Sequence, residues 1–138
     1  MKINNNLMSV MAGVLMLTVL AACEKPPGKG GKAMVTGKVH ATDFDNTQRW
    51  PISRGYVAGE RVYIIYGNGT EVGDDVRTSY DGSYQFKYLT KGHYKVFVNS
   101  LDTTEYFKGR DMTNPVIVEF DITDPKQVVT LDEIKINI

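Results

Sequence analysis

Five aspartates, Asp43, Asp45, Asp81, Asp102 and Asp111, are the residues best suited to share a cation. Carboxylate oxygens are the ligands that calcium prefers. The run Asp43-Phe44-Asp45-Asn46 begins like an EF-hand loop, which then needs glycine at its sixth position and glutamate at its twelfth. Gln48 and Arg54 stand there instead. That motif fails, a looser calcium site stays open, and no metal site is assigned. The two histidines, His40 and His93, have no cysteine near them and make a weak metal signal beside plain surface roles. Gly67-Asn68-Gly69 is followed by no helix, so it is a poor phosphate cradle. No G-x-S-x-G elbow occurs, and no serine–histidine constellation is visible. No catalytic residue and no cofactor are assigned, and the chain is not expected to be an enzyme. With 16 basic and 16 acidic residues, it has no excess charge to attract nucleic acid.

The one cysteine, Cys23, closes the string Leu20-Ala21-Ala22-Cys23 after Lys2 and an apolar stretch from Leu7 to Ala22. A charged start, a short apolar run and small residues before the cut make a secretory signal. A retained span needs roughly 20 apolar residues, more than this stretch supplies. L-A-A-C also resembles the lipobox of bacterial lipoproteins. The resemblance implies cleavage after Ala22, a diacylglycerol on the Cys23 thiol and an acyl chain such as palmitate on the new amine. Several acyl chains give stable membrane attachment, at about 0.8 kcal/mol per buried methylene. It further implies an outer-membrane anchor. Glu24 is followed by lysines, which favours a periplasm-facing domain and leaves the cell surface open. Three regions follow: a signal peptide at 1–22, the lipidated cysteine and a flexible tether at 23–32, and a folded domain at 33–138. Glu24 to Lys32 holds no large apolar side chain to bury, which is why a tether is expected.

The domain reads as strands. Val35, Gly37, Val39 and Ala41 alternate with Thr36, Lys38 and His40, and Tyr84, Phe86 and Tyr88 alternate with Ser83, Gln85 and Lys87. Further runs lie at 60–67, 75–80, 93–101, 115–122 and 128–138, and no helical period appears. Asn68-Gly69, Asp81-Gly82 and Lys91-Gly92 mark turns. Seven short strands spaced this way predict an all-β fold, a seven-stranded antiparallel β-sandwich, with a barrel as the alternative.

VTGKVHATD at 35–43, DGSYQFKYLTKGHYKVFV at 81–98 and the closing LDEIKINI resemble a carboxypeptidase regulatory-like domain, whose fold is the transthyretin-like (prealbumin-like) sandwich. Cna-B-like domains share the pattern. They suggest a Lys38–Asn137 cross-link assisted by Glu119, although Lys38 falls on the polar side of its strand. In place of the family's short first link, 42–59 is a long insertion. Alternating strand directions bring that insertion and 102–114 to one end, opposite the tether. Arg49, Trp50, Arg54, Tyr56, Tyr106, Phe107 and Arg110 then form a distal aromatic–arginine surface, the composition of interface hot spots. Burial of Trp50 and Phe107 as end caps is the competing expectation. The leading functional expectation is a non-catalytic, lipid-anchored accessory or scaffolding subunit that binds another envelope protein through these loops. A carbohydrate-binding module, with a glycan as its partner, is the alternative.

Overall fold

A computed structural model describes residues 25–45, 47, 50–106 and 112–138. It is all-β, with two packed sheets. In chain order the strands are β1 (Lys29–Phe44), β2 (Pro51–Tyr56), β3 (Arg61–Tyr66), β4 (Val72–Arg77), β5 (Ser83–Leu89), β6 (Gly92–Leu101), β7 (Thr113–Ile122), β8 (Val128–Thr130) and β9 (Ile134–Asn137), with a helical turn α1 (Thr103–Tyr106) between β6 and β7. No helix among the described residues is long and apolar enough to cross a membrane.

β1 is the spine of the first sheet. Its first half pairs antiparallel with β5 and its second half with β2. Val39 accepts from Val57 N–H and donates to Gly82 C=O, so β5 and β2 follow one another along a single edge. β8 and β9 line the other edge and run parallel to β1. The second sheet is the antiparallel series β4-β3-β6-β7. Its longest ladder joins β6 to β7, from Gly92↔Ile122 to Leu101↔Thr113.

The core lies between the sheets. Val35, Val39, Ala41, Phe86, Leu89, Ile134 and Ile136 face Val62, Ile64, Tyr94, Val96, Val98 and Ile122, all buried. Each large member contributes about 1.5–3 kcal/mol by leaving water. Tyr94 stacks on Phe120 with ring centroids 5.6 Å apart. Two side-chain hydroxyls close hydrogen bonds that join chain segments, whereas the buried Tyr66 and Tyr84 hydroxyls have no partner among the described residues. Thr78 Oγ1 donates to Val57 C=O at 2.6 Å, and Ser100 Oγ accepts from Asn137 N–H at 2.9 Å.

Several expectations change. The strands number nine among the described residues, against seven expected, and the pairing is mixed. The run at 128–138 breaks at Leu131–Glu133 into β8 and β9, whose parallel pairing the alternation of a single strand cannot reveal. Tyr88 does not join Tyr84 and Phe86 on the inner face. Ala33 pairs with Leu89 and Met34 with Lys87, leaving Tyr88 as the extra residue of a β-bulge at φ 62°. The bulge turns Tyr88 outward and Leu89 inward. The tether expected through Lys32 is also shorter. Pro26 and Gly28 are bonded to Thr90, and β1 begins at Lys29. Because glycine lacks a side chain, this segment packs by backbone contact: a Cβ on Gly31 would lie 1.8 Å from Leu89 O.

Candidate binding surface

Most of the insertion at 42–59 is not a loop. β1 runs on to Phe44, the chain turns through 45–50, and β2 returns along β1 with His40↔Tyr56, Thr42↔Arg54 and Phe44↔Pro51 in register. The register slips between Asp43 and Phe44, so Ile52 has no opposite residue and the ribbon bulges there. Asp45 holds the turn together. Its carboxylate accepts from Thr47 Oγ1 at 2.7 Å and from Trp50 N–H at 3.3 Å, while its own N–H donates to Trp50 C=O at 2.9 Å.

β2 pairs with β1 alone, and it buries almost nothing. Trp50 is 71 % exposed, Ile52 65 % and Tyr56 50 %. The end-cap expectation for Trp50 is therefore overturned: the indole stands in solvent. Arg54 is exposed on β2, opposite Thr42.

Because Val39 and Ala41 point into the core, Lys38, His40 and Thr42 point to the outer face, as do Tyr56 and Arg54, the β2 partners of His40 and Thr42. Tyr56 is seated there. The His40 ring meets it edge-on at 5.7 Å, and Lys38 Nζ lies 4.7 Å from its ring centroid, a cation–π contact. Lys38 also reaches Asp81 Oδ2 at 3.4 Å. Hydrogen bonds from the Ser83 side chain and backbone, then the Lys38 charge, hold the Asp81 carboxyl below the usual carboxylate range. The turn carrying Asp81 closes on Tyr56 only because residue 82 is glycine. Gly82 sits at φ 73°, and a Cβ there would lie 2.6 Å from Val39 O and 3.0 Å from Tyr56 Cβ.

The segment after β6 lies at the same end as the β1–β2 turn. Asn137 N–H donates to Ser100 Oγ at 2.9 Å, Ile138 N–H to Thr42 C=O at 3.0 Å, and Phe44 N–H to Ile138 C=O at 3.1 Å. Asp102 caps α1, its Oδ1 accepting from Thr104 N–H at 2.9 Å and from Thr104 Oγ1 at 2.6 Å, and its Oδ2 accepts from Asn114 Nδ2 at 2.7 Å. Tyr106 ends α1; its side chain, with Arg49, Phe107 and Arg110, lies outside the described residues, as does Cys23. Trp50, Arg54 and Tyr56 thus share one ribbon, and the backbone of Tyr106 lies at the same end of the domain.

The other chemical candidates are not brought together. Asp45 and Asp102 serve turn and cap, Asp81 pairs with Lys38, and Asp111 lies outside the described residues. Among the described residues no three His, Cys, Asp or Glu side chains are grouped to hold a metal ion. The cross-link trio is separated as well. Lys38 is engaged by Asp81 and Tyr56, Asn137 pairs with Thr42, and Glu119 lies on the second sheet beside Lys95 and His93. That last group escapes a linear reading. His93 Nδ1 is 2.9 Å from Asp121 and its Nε2 3.6 Å from Glu119, a cluster made by the β6–β7 register.

No protein-family model and no curated protein matches the chain. Among solved structures it is similar to a Pseudomonas aeruginosa protein described as a candidate carbohydrate binder. The identity is 11 %, the TM-score 0.44, and the match covers 77 % of this chain and 91 % of the other. It is also similar to (S)-allantoin synthase, with 12 % identity and a TM-score of 0.38, over 73 % of this chain and 41 % of that one. Likenesses this distant carry no argument about function.

Proposed function

We propose that this chain is a non-catalytic, lipid-anchored β-sandwich that binds another envelope protein along β2 and the adjoining segment after β6. The domain type is the carboxypeptidase regulatory-like sandwich suggested by the motif at 81–98. Cys23 carries the lipid, and the outer membrane is the anchoring site, with the domain facing the periplasm.

One observation carries the reading. β2 is an edge strand with one partner, it is exposed on both faces, and it bears Ile52 and Tyr56 in solvent, with Trp50 exposed just before it. Edge strands present unpaired N–H and C=O groups, and folded proteins usually protect them with charge, proline or a cover. Here the protection is slight, with Pro51 at the start of the strand and Arg54 within it. Strand addition by a partner satisfies the backbone groups, and the exposed aromatic and aliphatic side chains supply contact area. β1 behind the ribbon is pinned by β9 and the core, so the surface is rigid before binding.

The test is to purify the lipidated protein from its native membrane in mild detergent and identify what accompanies it by mass spectrometry. A stoichiometric envelope protein that is lost when Trp50 and Tyr56 become Ala and Ile52 becomes Ser, with the domain still folded, supports the reading. Co-purification that survives those changes overturns it.

The free Trp50 indole favours one second reading, a glycan-binding module in which sugar faces stack on the ring. Tyr56 serves that role less well, since Lys38 already lies over its ring. A glycan array with no signal above background removes this reading.

A further inference from the structure

At the end opposite β2's turn, the first described residues fold back onto the sandwich. Thr90 Oγ1 donates to Pro26 C=O at 2.8 Å, Thr90 N–H to Gly28 C=O at 2.9 Å, and Gly28 N–H to Tyr94 Oη at 2.9 Å. Packing is close enough that a Cβ on Gly92 would lie 2.5 Å from Pro27 Cγ. Between this segment and the turns after β5 and β7 opens a groove of about 920 Å³. Leu89 and Ile122 are among its lining residues, Lys25, Lys32, Lys91 and Lys126 contribute to it, and no aspartate or glutamate lines it. None of the four lysines is ion-paired among the described residues. Four like charges converge here in a chain whose acidic and basic residues balance as a whole.

We infer that this groove seats the anionic phosphate head group of a phospholipid in the membrane to which the chain is tethered. Lysine ammonium groups are compact charges that bind phosphate without demanding one geometry. Position selects the occupant. Pro26, which is docked, is three chain steps from Cys23, a reach of about 10 Å, so an anchor on Cys23 holds the groove at the leaflet surface. That choice of occupant rests on the lipid-anchor reading. The cationic groove itself does not.

Vesicle sedimentation tests it with residues 25–138. This fragment contains all nine strands and every buried core side chain but no cysteine, so a missing lipid anchor cannot mimic failure of the groove. Binding is expected to phosphatidylcholine vesicles doped with phosphatidylglycerol, and not to phosphatidylcholine alone. Lys91→Glu and Lys126→Glu, both exposed in turns, each lower binding by about fivefold or more, since one lysine near an anionic surface is worth about fivefold. Lys135→Glu makes the same charge change on the outer face of the first sheet, opposite His40, and changes binding less than about twofold. Equal binding to both vesicle types, or an equal loss with Lys135→Glu, overturns the inference. Displacement by inorganic phosphate at constant ionic strength assigns the groove to free phosphate and overturns the lipid source.

Discussion

The Gly28 N–H donates to the Tyr94 hydroxyl at 2.9 Å, across 66 residues of sequence. The same hydroxyl donates to Thr90 C=O at 2.7 Å. One phenol therefore ties the N-terminal segment to the β5–β6 turn, and it does so in the buried core. The chain is docked on the sandwich from Pro26 onward, so the anchor proposed on Cys23 would restrict the orientations of the domain at a membrane. Tyr94→Phe keeps the ring stack on Phe120 and removes only the hydroxyl. A loss of about 1–3 kcal/mol in urea unfolding is expected, with faster amide exchange at Gly28. Unchanged exchange there contradicts the docking role.

Gly37 lies opposite Tyr84 in the β1–β5 ladder. A Cβ at this position would stand 2.5 Å from Tyr84 Oη and 2.7 Å from its Cζ. The ring is buried and has little room to retreat. Gly37→Ala should cost about 1–3 kcal/mol by overpacking. Gly55→Ala on β2 is the control, since nothing lies within 4 Å of its added methyl, and its unfolding midpoint should stay close to that of the unaltered protein.

Burial pushes the Tyr84 phenol far above its usual value and raises Tyr66 as well. The folded state therefore keeps protons that the unfolded chain releases near pH 10. This contribution to stability is fully present below that pH and is lost as pH rises toward the folded-state values. Thermal unfolding followed from about pH 8 to pH 11 should show a falling midpoint above pH 10, less steep in Tyr84→Phe. Parallel curves for the two proteins contradict the assignment to Tyr84.

Trp50→Ala and Ile52→Ser remove side chains that stand mostly in solvent. Each should change unfolding free energy by no more than about 0.5 kcal/mol, the ordinary range for surface positions. A much larger loss in denaturant titration shows that these side chains serve the fold rather than a partner.

Strands buried on one face announce themselves in the sequence. Val35-x-x-x-Val39-x-Ala41 and Tyr94-x-Val96-x-Val98 alternate because one side meets the core. β2 does not. Pro-Ile-Ser-Arg-Gly-Tyr buries neither face, so it lacks any alternation, and its strand character comes from pairing with β1. Its last residue, Tyr56, and the preceding Trp50 were legible as binding candidates by residue type alone, without the ribbon that presents them. The Tyr88 bulge also escapes detection, because it places a tyrosine at positive φ where glycine is the usual choice. The basic groove joins lysines from three separate stretches, the N-terminal segment and the turns after β5 and β7, and the docking of that segment brings them together.

The most direct test of partner binding at β2 is photocrosslinking in the native membrane, with a photoreactive residue at position 52 and, for comparison, at position 95 on the second sheet. One discrete adduct with another envelope protein from position 52, absent from position 95, is the predicted result. No adduct from position 52, or the same adducts from both positions, contradicts the account.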